Sequence, residues 1–311
     1  MLRRNRCTRV FGSKERSNSC REINMINAKN LLLLLFLSSC FVDNAKIEDR
    51  VEDRVEGRVE GAERLKIHLD NSRTGDLDAI IKKKYIRILT TKNAYDYYIY
   101  QGQTVGIQYE MAKEFTKHLN SKYVGEKQLR IVFEMIPVEF DLLIPMLNEG
   151  KGDIIAVGLT QTPKRLEQVE FTVPYRVVDD VIVTRKEFKN QSWKNKTFHV
   201  QKDSSYFAQL KLKNENMKIK RVDPNFNGAN IMEFISLKKY DYTLVNSFWA
   251  KTISKRFSNL HIIKDNPYRK KVEVSWAVRK NNSKLLEELN TFLPKIKKGT
   301  LLGNLLSYKY I

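Results

Sequence analysis

The chain has 311 residues, 42% hydrophobic and 30% charged, which is enough apolar sequence for a sizeable core in one or two domains and excludes a polar, unfolded polymer. Its formal charge is +20, yet beyond residues 1–24, with seven basic and two acidic residues, Lys and Arg alternate with Asp, Glu and aromatics, so the long basic run of a nucleic-acid groove is absent. The cysteines are Cys7, Cys20 and Cys40 and no pair of the four histidines has metal-ligand spacing, so no disulfide framework, metal site or cofactor is expected.

The basic surplus has two readings: an ordinary solvated surface, or attraction to anionic lipid or an acidic wall polymer. In chain order, the first element is the apolar run Leu31–Leu37, followed by Ser38, Ser39 and Cys40. It is too short for a membrane span, which needs ~20 apolar residues, and has the length of a signal-peptide core. Leu37-Ser38-Ser39-Cys40 resembles the lipobox of bacterial lipoproteins, and by that resemblance Cys40 is the lipid-modified first residue of the mature chain. Thirty residues before the apolar run is long for a signal peptide, and Met25 is the expected true start. Residues 1–39 are thus read as a signal peptide and 40–83 as the lipidated cysteine with a charged tether. Within it Val51-Glu-Asp-Arg, Val55-Glu-Gly-Arg and Val59-Glu-Gly-Ala form a near-repeat.

From Lys84 the pattern changes. Tyr85–Thr90 reads as a β-branched strand, and Gly106–Leu119 carries Ile107, Met111, Ala112, Phe115 and Leu119 at helical spacing. A strand at Leu129–Ile136, a short helix at Asp141–Asn148 and a buried strand at Asp153–Val157 complete a β-α-β-α-β alternation, which argues a parallel sheet with crossover helices. The rhythm recurs: strand Thr197–Val200, helix Ser204–Leu212, strand Lys218–Val222, helix Ala229–Lys238, strand Tyr242–Val245, helix Trp249–Arg256. Strands Val178–Thr184 and Glu273–Val278 fall where the chain passes between the two units. A last helix has Ser283 as its cap and Leu285, Leu286, Leu289 and Phe292 as its apolar face. The expected fold class is α/β, a clamshell of two α/β lobes joined by two crossing strands: lobe 1 at 84–180 plus 279–311, lobe 2 at 181–278.

Asp153, Gly158, Thr160, Thr162, Arg165, Phe171, Pro174 and Tyr175 reproduce, in order and spacing, a pattern that resembles the family 3 extracellular solute-binding proteins. Gly106–Ala112, Phe140–Pro145, Lys239–Thr243 and the closing Lys298-Gly-Thr-Leu fit it too, so the resemblance covers residues 84–311. It implies a periplasmic-binding-protein-like type II fold that closes on an amino acid or similar small solute, for uptake or sensing. The Ala156–Thr160 stretch, Tyr240–Ser247 and Val274–Val278 look closer to one branch, the regulatory domain of membrane-bound lytic murein transglycosylase F. The Glu-Ser motif of that enzyme's catalytic domain is not found in these residues. The expectation is therefore a binding module rather than an enzyme, the alternative being a non-catalytic or truncated form of such a transglycosylase in peptidoglycan turnover. Partners implied are a carboxylate-bearing small molecule, the membrane through the lipid anchor, and an ABC permease or a wall-active enzyme, with the protein on the periplasmic or extracellular face of the envelope.

The same resemblance directs attention to the site. Arg165 offers a forked guanidinium for a ligand carboxylate, or pairs at the surface with Glu167 or Glu170. Thr160 adds a hydroxyl, and Gly158 lets the backbone approach a ligand. Ser204 and Ser205 precede a helix and either bind an anionic group or simply cap it. Phe140 is a ligand-packing aromatic or core, and Tyr95 and Tyr98 are expected at the mouth. Trp193, Trp249 and Trp276 read as packing. Asn246 stands where amino-acid binders usually carry Asp; a neutral amide does not compensate a buried ammonium as Asp does. A peptide, a wall fragment or a dicarboxylate therefore fits as well as a free amino acid.

Overall fold

The structure, a computed structural model, describes residues 71–310 except Ala94, 214–216, 224–225 and Lys298. Cys40, the apolar run before it and the charged repeat lie outside the described residues.

The strands in chain order are Tyr85–Thr90 (β1), Tyr98–Tyr100 (β2), Gln103–Val105 (β3), Val132–Pro137 (β4), Ile154–Thr160 (β5), Glu170–Phe171 (β6), Arg176–Val178 (β7), Asp180–Arg185 (β8), Thr197–Gln201 (β9), Lys218–Val222 (β10), Thr243–Asn246 (β11), Leu260–Ile263 (β12) and Val272–Val278 (β13). The first lobe's sheet runs β4-β1-β5-β13-β6, with β7 also on β13. β4, β1 and β5 are parallel, and β13 is antiparallel to β5, β6 and β7. β1 and β5 are almost continuously buried, as parallel strands covered on both faces must be.

The helix Ile107–Tyr123 buries Ile107, Met111, Ala112, Phe115 and Leu119, the apolar stripe read from the sequence, against β-strand side chains and the helix Ser283–Phe292. In the second lobe β8 lies between β11 and β12, and β9 pairs with β10. A parallel bridge between Phe198 and Tyr242 carries β9 onto the β11 side. The helices Ser205–Lys213, Gly228–Ser236 and Ser247–Ser254 follow β9, β10 and β11 in turn. This is the type II clamshell.

Three sequence expectations change. The tether does not extend to residue 83: Leu77–Lys83 is a helix, and its Leu77 and Ile80 are buried in the first lobe's core. Asp76 accounts for its position, since one carboxylate accepts from the amide of Leu77 at 2.7 Å and from those of Lys284 and Leu285 at 2.9 Å. The helix Ser283–Phe292 is thus capped from the far end of the chain, and Ser283 is its first residue rather than its cap. Finally, β13 pairs within the first sheet, so Glu273–Val278, read as a crossing strand and counted with lobe 2, lies in the first lobe's sheet and the return crossing is the segment 264–271. The outward crossing breaks at Asp179, between β7 and β8.

Candidate functional site

A cavity opens between the lobes at the carboxyl ends of β1, β4, β5, β9 and β11. That is where an open α/β sheet leaves a crevice and where the following helices present their amide-rich N-termini.

Arg165 sits on the turn Pro163–Leu166, whose N-cap is Thr162. Its side chain is turned back under the cleft: Nη1 donates to the Thr160 carbonyl at 2.9 Å, and Nη2 donates across the cleft to the Asp203 carbonyl at 3.2 Å. The guanidinium lies over the Phe140 ring at 5.4 Å. Among the described residues no carboxylate comes within ion-pair distance of it, so the surface pairing with Glu167 or Glu170 does not occur. Burial pushes its pKa down to about 10, with the neighbouring Arg269 adding to the effect and Tyr206 and Asp203 opposing it. It remains a cation at neutral pH, hydrogen-bonded to main-chain carbonyls and not ion-paired among the described residues.

The structure brings Gly158, Thr160, Arg165, Phe140, Ser204, Ser205 and Asn246 to this one cavity. The Ser204 hydroxyl is buried with no hydrogen-bond partner, so its donor and acceptor capacity is unspent. Ser205 Oγ accepts from Arg269 Nη2 at 2.9 Å, and Arg269 in turn is paired with buried Asp180 at 2.9 Å. Asn246 Oδ1 accepts from the amide of Trp249 at 2.9 Å and so caps the helix Ser247–Ser254. Its own N–H donates to the Tyr206 hydroxyl at 3.0 Å.

Tyr95 and Tyr98 are placed differently. Tyr95 packs edge-on against Trp249, with centroids 5.1 Å apart, and Tyr98 lies in the β2–β3 hairpin paired with Val105; neither lines the cavity. The first loop contributes Thr91, Asn93 and Asp96 instead. The sequence reading passed over these, although polar residues at the carboxyl end of a parallel strand are a signal in themselves. Trp249, read as packing, does line the cavity, as do Tyr206 and the capping Asn227.

Asp96 is buried. Its Oδ2 accepts from Asn93 Nδ2 at 2.8 Å and its Oδ1 from Gln108 Nε2 at 3.4 Å. Burial raises its pKa above the ordinary carboxylate value, and these two neutral donors and the more distant Arg176 only partly offset that. The loop is held in place by its main chain: the Asp96 carbonyl accepts from the amides of Gln108 and Tyr109 at 3.1 and 3.4 Å. Gly106, at φ 136°, permits that approach, because a Cβ there would stand 2.2 Å from the Asp96 carbonyl oxygen.

Residues 86–308 match the model of the bacterial extracellular solute-binding proteins, family 3. Among curated relatives, the membrane-bound lytic murein transglycosylase F of Desulfosudis oleivorans is 28% identical over 220 residues, 69% of this chain and 46% of that protein. Its counterpart in Photobacterium profundum is 27% identical over 256 residues, 74% of this chain and 44% of that protein. The chain thus spans less than half the length of these relatives. Among solved structures, an ancestral arginine-binding protein bound to arginine superposes with a TM-score of 0.60 at 26% identity, covering 73% of this chain and 98% of that one. The arginine-bound amino acid ABC transporter substrate-binding protein AbpA of Streptococcus pneumoniae gives 0.64 at 20% identity, over 75% and 98% of the two chains, a likeness of fold alone. With the family pattern matched over most of its length and the clamshell in place, the chain belongs to the bacterial extracellular solute-binding proteins, family 3.

Proposed function

We propose that the protein is an envelope-located binding module that closes on a small carboxylate-bearing ligand, an amino acid, a short peptide or a wall fragment, for uptake or sensing. One observation carries this reading: Arg165 is a buried guanidinium lining the cavity, bonded to carbonyls and with no carboxylate within ion-pair distance among the described residues. A buried cation of this kind gains from a ligand anion both Coulomb energy and a bidentate hydrogen bond. The unspent Ser204 hydroxyl supplies a further contact from the second lobe, so one ligand holds both lobes.

Calorimetric titration of the twenty L-amino acids, dialanine and a muramyl tripeptide into the wild type and Arg165→Ala tests it. Binding of at least one probe is expected, weakened by about 2–5 kcal/mol in the variant, the usual loss when one partner of a buried charged contact is removed. Equal binding by the two proteins, or none by the wild type, sinks the reading.

The relatives' name favours a second reading, action in peptidoglycan turnover alongside or as part of a wall-active enzyme. Release of soluble glycan from purified murein by this chain would establish catalysis; binding of the muramyl tripeptide without release fits a regulatory module. No helix among the described residues is long and apolar enough to cross a membrane. Anchoring is proposed to run through Cys40, and Cys40→Ser is expected to abolish incorporation of labelled palmitate.

A further inference from the structure

We propose that Asp96 binds the cationic group of the ligand, so that the cleft selects a zwitterion with its carboxylate on Arg165 and its ammonium on the first lobe's loop. The inference deepens the carboxylate reading and rests on it. Arg165 is the one cation and Asp96 the one carboxylate among the described residues that line the cavity. The position expected to hold an ammonium, at the end of β11, is Asn246, and its side-chain oxygen is already used by the amide of Trp249. Among the described residues the second lobe therefore offers no anion to the cavity, and the first lobe does.

The loop's shape comes from the Asp96 carbonyl on the helix Ile107–Tyr123 and from Asn93 Oδ1, which accepts from the amides of Tyr95 and Asp96 at 3.0 and 2.8 Å. The carboxylate itself touches only two neutral amide groups and has no ion-pair partner within 4.0 Å among the described residues. A buried carboxylate left this way is a liability to the empty protein, because two neutral donors and the more distant Arg176 repay its desolvation only in part. An arriving ammonium repays it. Gln108 keeps the second oxygen aimed, since its own Oε1 is occupied by the Trp276 indole N–H at 2.8 Å and its Nε2 must face Asp96 and the Tyr175 hydroxyl.

The test compares each L-amino acid with its des-amino counterpart, such as L-glutamine with glutaramic acid and L-arginine with 5-guanidinopentanoic acid, by calorimetry on the full chain. The wild type is expected to prefer at least one amino acid over its des-amino form by about thirtyfold or more, the scale of a buried charged hydrogen bond. Asp96→Asn is expected to erase that preference by weakening the amino acid alone, and Arg165→Ala to weaken both members of the pair. Equal binding of a pair by the wild type, or unchanged amino-acid affinity in Asp96→Asn, overturns the assignment and leaves the carboxylate reading standing. Failure of every probe to bind the wild type removes both. Asp96→Ala, which removes the carboxylate without setting a second amide N–H against Asn93 or Gln108, is expected to lose the same preference with its melting temperature showing a folded chain; a folded Asp96→Ala that keeps the preference overturns the proposal as well.

Discussion

The Trp276 indole N–H donates to Gln108 Oε1 at 2.8 Å, joining two residues 168 apart in sequence and fixing which end of the Gln108 amide faces the cleft. Trp276 is wholly buried and Gln108 nearly so. Trp276→Phe keeps most of the packing but leaves a buried carbonyl oxygen without a donor, which costs about 1–3 kcal/mol. Urea unfolding monitored by circular dichroism is expected to show that loss. Trp276→Ala adds a cavity and is expected to cost about 3–5 kcal/mol.

A second buried contact organises the first lobe. Arg87 on β1 and Asp153 just before β5 pair at 2.9 Å with both side chains almost fully buried, and Arg279 approaches the same carboxylate at 3.5 Å. Asp153→Ala strands two buried guanidiniums. The expected loss is about 3–5 kcal/mol by the same unfolding measurement, far beyond a surface ion pair. Asp153 is one of the residues that carried the family resemblance, and its position explains its part there as structural.

Across the cleft, Lys202 of the second lobe meets Asp141 of the first at 2.9 Å. Lys202 is 43% exposed, so solvent screening leaves the pair a weak bias rather than a lock. Lys202→Ala is expected to raise the radius of gyration of the unliganded protein in small-angle scattering while the ligand-saturated form keeps its wild-type value. An identical unliganded profile would show that the pair does not bias closure.

Glu288, on the helix Ser283–Phe292, accepts from Lys122 at 2.7 Å, Tyr123 at 2.5 Å and His118 at 2.6 Å, all on the helix Ile107–Tyr123. Burial alone would raise its pKa, but these hydrogen bonds outweigh burial and hold it below the ordinary glutamate value. A carboxylate with a lowered native pKa binds fewer protons folded than unfolded. Its contribution is therefore complete above the ordinary glutamate value of 4.5 and is lost as pH falls from there through the native value. Glu288→Gln is expected to flatten the acid limb of a melting-temperature profile over that window and to lower stability at pH 7.

The sequence alone determined the features that repeat at short range. The stripe Ile107, Met111, Ala112, Phe115 and Leu119 shows a helix because residues three and four apart share one face, and the structure buries that stripe. The alternation of strands and helices gave two parallel α/β units, and the spacing from Asp153 to Tyr175 placed Gly158, Thr160 and Arg165 on the strand end and turn that reach the cavity. What the tertiary structure alone decided are contacts between segments with no local period to report them. Asp76 reads as part of a tether because nothing near it shows that it caps a helix 208 residues later. β13 carries no mark of its lobe, because an apolar strand looks the same beside either sheet. Asp96 has no local signal, because a lone acidic residue in a loop is ordinarily solvated. Only the folded chain buries it among neutral donors in the lining of the cavity that also holds Arg165.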